Sequence, residues 1–326
     1  MAMPSVLIVG GGSAGCVLAR RLSEDPSIEV TLLETGGDVS SSEPPAMMRS
    51  PNPWQIIQGE GSDPYRFPQL LSTRAAGQEP DVYWRGRGLG GSSSVNGMQT
   101  IRGTPEDFDD LWVAQDGCEG FGAADVLPYY QRLETDHDFG GGPAHASDGP
   151  FPITRSPRER WGGNDAAIYD ACVELGYGEV PDHNAFERKL VGMSAFARND
   201  REPEDGESAT TSADRAGAGR AGRISAYDAF LAPIRDERSA QLSIITDAHV
   251  QRILFDGSRR ATGCVATING APPREFHADH VVLCGGAIHS PAILQRSGVG
   301  PAALLESLGI PVVADRPVGS NLQDHP

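Results

Sequence analysis

The segment VLIVGGGSAGCVLARRL, residues 6–22, carries glycines at 10, 12 and 15 in the GxGxxG spacing, between an apolar run and a helix-like run. Each glycine has a separate task in such a turn: Gly10 permits the tight bend, Gly12 lets backbone approach a pyrophosphate, and Gly15 lets helix and strand pack closely. The N–H groups that open the helix then face the anion with partial positive charge. Glu34 ends the next apolar run, 19 residues past Gly15. A carboxylate there can accept hydrogen bonds from ribose hydroxyls and would repel a 2′-phosphate. The chemistry implied is that of a dinucleotide cofactor, NAD or FAD, and therefore redox.

A second segment, WRGRGLGGSSSVNGMQTIRG at 84–103, is so rich in glycine and serine that no core role accounts for it. Backbone that lies against phosphates and a ring system needs small side chains and free N–H donors. The eight histidines, His137, His145, His183, His249, His277, His280, His289 and His325, are scattered. Five cysteines show no CxxC spacing, so neither a disulfide framework nor a zinc site is expected.

The elements that must position these residues are legible in part. SVLIV reads as a buried strand, Ser13 to Glu24 as a helix, and IEVTLLE as a second strand, together a βαβ unit. Thr104 in TPEDFDDLW is a helix N-cap, AADVLPYYQRLE and NDAAIYDACVELG are helices, and Gly176 closes the latter. ISAYDAFLAPI reads as a helix, LSIITDAHVQRILFD as two strands paired with each other, and GCVATINGAPPREFHA as a hairpin turning at Asn269 and Gly270. HVVLCGG, two helices from SPAILQRSG and PAALLESLG, and a final strand IPVVAD complete an α/β rhythm. Residues 199–222 hold no large aliphatic or aromatic side chain and are expected to be a flexible insertion.

With 326 residues, two domains are expected. No apolar run reaches the roughly 18 residues of a membrane span, and the first strand starts too early for a signal peptide, so the expectation is a soluble, cytoplasmic protein. A net charge of −17 argues against nucleic acid and anionic membranes, although plain solubility accounts for it equally well.

Residues 84–103 resemble the first signature of the glucose-methanol-choline (GMC) oxidoreductases, flavoproteins that oxidise alcohols. CGGAIHSPAILQRSGVGP at 284–301 is similar to their second, and RPVGSNLQDHP at 316–326 to the block that follows. The resemblance runs from Val6 to Pro326. It implies a Rossmann-like FAD-binding domain with a parallel sheet (1–155 and 223–312) and an incomplete α+β substrate domain (156–198 and 313–326). It implies that Gly10, Gly12, Ser13 and Gly15 hold the FAD pyrophosphate and Glu34 the adenosine ribose. Gly90, Gly91 and Ser92 would line the phosphate and ribityl path, and Asn96, Gly97 and Met98 the flavin. Val250 matches a position whose backbone pairs with the adenine edge, or is an ordinary core valine. Val95 stands where some members carry the histidine that links FAD covalently, so noncovalent FAD is implied. His289 replaces the usual asparagine, and could sit near the cofactor or cap a helix.

The histidine segment that receives the alcohol proton in this family has no counterpart here, and NLQDHP reads like the middle of such a protein. The expectation is an FAD-binding part that oxidises a small-molecule alcohol only when completed, whether the chain is a truncation, a gene remnant, or half of a split enzyme with a second polypeptide. An FAD-dependent hydroxynitrile lyase-like protein and a noncatalytic fragment are the alternatives.

Overall fold

The computed structural model describes residues 3–38, 65–67, 70–73, 75–195, 197, 198, 200, 201, 222–238 and 240–323. They fall into two compact units, the first drawn from Met1–Met48, Trp54–Val95 and Ser225–Pro326, the second from Arg49–Pro53 and Asn96–Ile224. This division differs from the segments read in the sequence: residues 96–155 group with the second unit, and 313–323 with the first.

In the first unit, β1 (Ser5–Val9) and β2 (Glu29–Leu33) flank α1 (Ser13–Leu22) as the apolar runs require. They lie at the centre of a four-stranded parallel sheet whose edges are β3 (Leu242–Ile245) and β7 (His280–Leu283), in the order β3-β2-β1-β7. Side chains alternate between the faces of a strand. Leu7, Val9 and Leu33 therefore point to one core, while Ile8, Val30 and Leu32 are fully buried on the other face with Cys16 and Ala19 of α1. Burial on both faces is why these strands read as unbroken apolar runs.

The first of those cores is closed by an antiparallel sheet of β4 (Ala248–Phe255), β5 (Ala261–Ile268) and β6 (Arg274–His277). Val250, Ile253, Cys264 and Ala266 pack there, joined by Ile293 from α2 (Gly286–Arg296). The β5–β6 hairpin turns where expected, with Asn269 at φ 50° and Gly270 at φ 70°, the doubly left-handed pair of a type I′ turn.

LSIITDAHVQRILFD does not pair with itself. Asp247 adopts φ 50°, and its N–H bonds the Gly36 carbonyl while the Ala248 N–H bonds that of Glu34. That bend sends β3 into the parallel sheet beside β2 and β4 into the antiparallel one. Two other elements are shorter than expected: ISAYDAFLAPI keeps helical winding over Tyr227–Leu231, and IPVVAD pairs only at Ala314–Asp315.

In the second unit, the Thr104 cap forms as a reciprocal box. The Thr104 hydroxyl accepts from the Asp107 N–H at 3.3 Å, and the Asp107 carboxylate accepts from the Thr104 N–H at 2.7 Å. Helical segments Asp107–Gln115, Ala123–Leu133 and Gly163–Glu174 follow, the last closed by Gly176 at φ 91°. Of the expected insertion, Asp200–Arg201 pairs with Gly222–Arg223, and 202–221 lie outside the described residues. Among the described residues no helix is long and apolar enough to cross a membrane.

The antiparallel sheet rests on one close approach. Gly263 in β5 has φ 153°, and a Cβ there would overlap the carbonyl of Phe276 on β6. Gly263→Ala should therefore cost about 1–3 kcal/mol in thermal unfolding, whereas Gly257→Ala, which meets nothing within 4 Å, should leave the midpoint unchanged.

Candidate cofactor-binding site

A cavity of about 420 Å³ opens at the C-terminal ends of the parallel strands. Ligands of α/β folds bind there, where loops leaving the strands diverge. Its walls include Gly10, Gly12, Ser13, Glu34, Gly91, Ser92 and Val250, seven of the residues singled out in the sequence.

The turn after β1 is fixed tightly. Gly10 has φ 107° and donates its N–H to the Leu33 carbonyl at 2.8 Å, and a Cβ on Gly15 would overlap the Gly10 carbonyl. Gly15 thus acts from behind the turn and does not line the cavity. Gly12 differs from both. A Cβ added there would meet no atom nearer than the Gly91 Cα at 3.9 Å, so the protein's own packing does not require a glycine. The space in front of Gly12 belongs to the cavity, beside the first N–H groups of α1, which have no carbonyl one turn earlier to bond.

The glycine-rich loop lies over this turn. Gly90 donates its N–H to the Gly11 carbonyl at 2.8 Å, and a Cβ on Gly91 would stand 2.7 Å from the Gly12 Cα. Ser92 accepts the Gly86 N–H on its hydroxyl at 3.1 Å. Only backbone without side chains can bring the two glycine segments this close.

Glu34 holds them in register. Its Oε2 accepts the Gly11 N–H at 2.7 Å, and its Oε1 accepts those of Gly36 at 2.8 Å and Gly88 at 2.9 Å. Burial pushes this carboxyl above the ordinary glutamate range, and the N–H groups of Gly36, Gly11 and Gly88 pull the other way. All three partners are donors, so the geometry is built for the carboxylate.

Val250 lies where core and cavity meet. Its side chain is 5% exposed and belongs to the core, yet the residue also lines the cavity, next to a register shift between Val250 and Arg252. Asn96, Gly97 and Met98 belong to the second unit and are not in the cavity wall. There Asn96 Oδ1 accepts from the Met98 N–H at 3.0 Å and from Arg223 Nη1 at 2.9 Å.

His289 lies in the first turns of α2 and lines the cavity, its ring tilted 37° against that of Phe67 with the centroids 4.2 Å apart. Burial, with the neighbouring charges of Arg296 and His249, holds its pKa below the ordinary histidine value. Phe67, His249 and Arg296 complete this wall and were not singled out by the sequence. His249 alternates with Val250 along β4, a period-2 signal that could have placed it opposite the core.

The sequence profile of the GMC oxidoreductases matches residues 5–326. The chain belongs to the GMC oxidoreductase family. It is 37% identical over 327 residues to 5-(hydroxymethyl)furfural oxidase of Methylovorus sp., covering 98% of this chain and 56% of that protein. It is 39% identical over 336 residues to an oxygen-dependent choline dehydrogenase of Pseudomonas aeruginosa, covering 98% and 52%. The crystal structure of pyridoxine 4-oxidase from Mesorbium loti superposes with a TM-score of 0.80 at 32% identity, over 96% of this chain and 55% of that one. The chain thus spans about half the length of the relatives it matches, and the α/β parallel-sheet architecture read in the sequence is that of GMC oxidoreductases. The family implies FAD, and the open face of Gly12 between two glycine segments fits a pyrophosphate.

The Glu34 arrangement yields a test that needs no cofactor. An amide has one acceptor oxygen, so Glu34→Gln sets its NH₂ against at least one of the three N–H donors. Unfolding of the apoprotein should show a loss of about 1–3 kcal/mol. An unchanged midpoint would mean that the three hydrogen bonds do not hold the loop.

Proposed function

We propose that this chain is the FAD-binding part of a GMC enzyme that oxidises a primary alcohol to an aldehyde. The observation that carries the reading is Gly12: of the glycines at 10, 11, 12 and 15 it alone has room for a Cβ, and that room lies on the cavity side. Gly10, Gly12, Ser13 and the start of α1 would hold the pyrophosphate. Gly90, Gly91 and Ser92 would follow the ribityl path.

A carboxylate offers about four lone-pair sites, and three on Glu34 are taken by N–H groups. One remains on Oε2, enough for a single ribose hydroxyl. Val250 would offer its backbone to the adenine edge beside Arg296, whose Nε donates to the Gln251 carbonyl at 2.8 Å. Val95 has no nucleophilic atom, so the cofactor would be held noncovalently.

When bound, FAD supplies the hydride acceptor for alcohol oxidation. The substrate class follows from the relatives' names: hydroxymethylfurfural, choline and pyridoxine each carry a primary hydroxyl. A base must take the hydroxyl proton as the hydride leaves, and such a base typically contributes 10²–10⁴ in rate. None of the cavity residues is assigned that role. We place it in the half of the relatives that this chain does not span, so this chain alone would bind FAD without turnover.

Gly12→Ala tests the reading. The added methyl meets no protein atom nearer than 3.9 Å, so the apoprotein's unfolding midpoint should be unchanged. FAD affinity in a fluorescence titration should fall at least tenfold, about 1.4 kcal/mol. Equal affinity would remove the pyrophosphate from this turn. Acid precipitation of the loaded protein should leave all the yellow colour in solution. Anaerobic mixing of the loaded chain with primary alcohols should leave the flavin absorbance unbleached, and bleaching within seconds would place the base inside this chain.

A further inference from the structure

The second unit buries six ionisable side chains in one cluster: Arg102, Glu134, Asp136, His145, Arg155 and Asp182, none more than 9% exposed. They come from five stretches of chain. Glu134 and Asp136 lie on the strand Glu134–Asp136, Arg155 ends the parallel strand Phe151–Arg155, and Arg102, His145 and Asp182 come from loops.

His145 stands at the centre. Its Nδ1 is 2.9 Å from Glu134 Oε1 and 3.1 Å from Asp136 Oδ2, and its Nε2 is 2.9 Å from Asp182 Oδ2. Arg155 bonds Asp136 at 3.0 Å through Nη1 and Asp182 at 2.6 Å through Nη2, and reaches the rim residue Asp138 at 3.3 Å. Arg102 pairs with Glu134 at 2.6 Å and donates to the Ala144 carbonyl at 2.8 Å. The Phe139 ring, 5.9 Å from His145, covers one side, and the Arg155 guanidinium lies 4.6 Å over that same ring.

Two properties of this arrangement settle its protonation. A neutral imidazole has one donor and one acceptor nitrogen, and an acceptor nitrogen would here face a carboxylate oxygen at hydrogen-bond distance. Both ring nitrogens must donate. Among the buried groups the charge then closes, with three carboxylates against two guanidiniums and one imidazolium. Removing the imidazolium proton leaves one net negative charge buried. Arg102 and Arg155 already supply the positive charge that a metal ion would bring, so the nearby Glu134, Asp136 and His145 oxygens and nitrogens are matched without one.

We propose that His145 is a permanent imidazolium at neutral pH, and that it is the pH-sensitive latch fastening the loop of Arg102 to the 134–155 strands and the Asp182 turn. Its other contacts agree. Burial by itself would lower the His145 pKa, but hydrogen bonds to Asp136, Asp182 and Glu134 outweigh it and hold it up at about 10. Burial would likewise raise Asp136 and Asp182, and His145 with Arg155 keeps both below the ordinary aspartate range.

The sign follows from linkage. The folded-state pKa lies above the unfolded value of 6.5, so the latch contributes fully below about pH 6.5 and loses its contribution as pH rises to about 10. The test uses the full chain with ¹⁵N-labelled histidine. One imidazole should keep both ring N–H groups at pH 8.5 while the others have lost one; if all the histidines are neutral at that pH, the proposal fails. Independently, His145→Gln should lower the unfolding temperature at neutral pH by roughly 5–15 °C. The gap to the wild type should narrow steadily toward pH 10. A gap independent of pH would make His145 a packing residue only and overturn the latch. If His145→Gln does not fold, Asp182→Asn is measured instead, and should bring the persistent imidazolium's titration to lower pH. An unmoved midpoint would equally overturn it.

Discussion

The Glu34 carboxylate is the point on which the cofactor side of this protein turns. Three N–H groups converge on it from segments far apart in sequence: the turn after β1, the end of β2, and the glycine-rich loop at Gly88. Each of those backbone groups lies away from strand pairing and would be unsatisfied without an acceptor, and a buried donor left unmade costs about 1–3 kcal/mol. The same carboxylate that could meet a ribose thus first assembles the walls of the site. On the proposed reading, binding and folding would draw on one side chain, and the two contributions would separate only because its oxygens have more lone pairs than the loop uses.

What Glu34 assembles depends in turn on the two sheets behind it. The backbone bend at Asp247, tied to Gly36 and Glu34, ends β3 in the parallel sheet and starts β4 in the antiparallel one. Leu7, Val9 and Leu33 on one sheet meet Val250, Ile253 and Ala266 on the other, which brings Val250 to the cavity wall while its side chain stays in the core. A single residue that faces core and cavity together ties the position of the wall to the packing behind it.

This bend also marks where sequence reasoning runs out. The GxGxxG turn, the acid after β2 and the Asn269–Gly270 hairpin are local patterns, each dictated by backbone conformation or by spacing along one element. The pairing of β3 is not local: nothing in LSIITDAHVQRILFD distinguishes a hairpin from two strands in different sheets, because both need alternating apolar residues and a turn. The left-handed Asp247 was the available cue, since such residues tolerate positive φ, but the bend's direction is set by carbonyls of Gly36 and Glu34 some 210 positions earlier. Phe67 and Arg296 reached the cavity wall unannounced for the same reason. Composition singled out the glycine loop, part of which lines the cavity, yet the burial of Glu34 beneath it is a property of the folded register.

The two units bury carboxylates by opposite means, and the contrast explains how each should respond to its surroundings. Glu34 is compensated by neutral backbone dipoles, three N–H groups that cannot be titrated away and whose positions are fixed by glycine. Glu134, Asp136 and Asp182 are compensated by full charges, one of which sits on a histidine. Dipoles leave one oxygen position open to a ligand, as a binding site requires. The ion pairs instead join each carboxylate to at least one full positive charge. The sequence marks the first solution by its glycines and hides the second, since Arg102, His145 and Asp182 share no spacing and meet only when the strands at 134–136 and 151–155 lie parallel. A cofactor site must be solvated and open before it binds, so its charge has to be balanced by groups that stay put. A structural junction has no such demand, and can rest its neutrality on a proton.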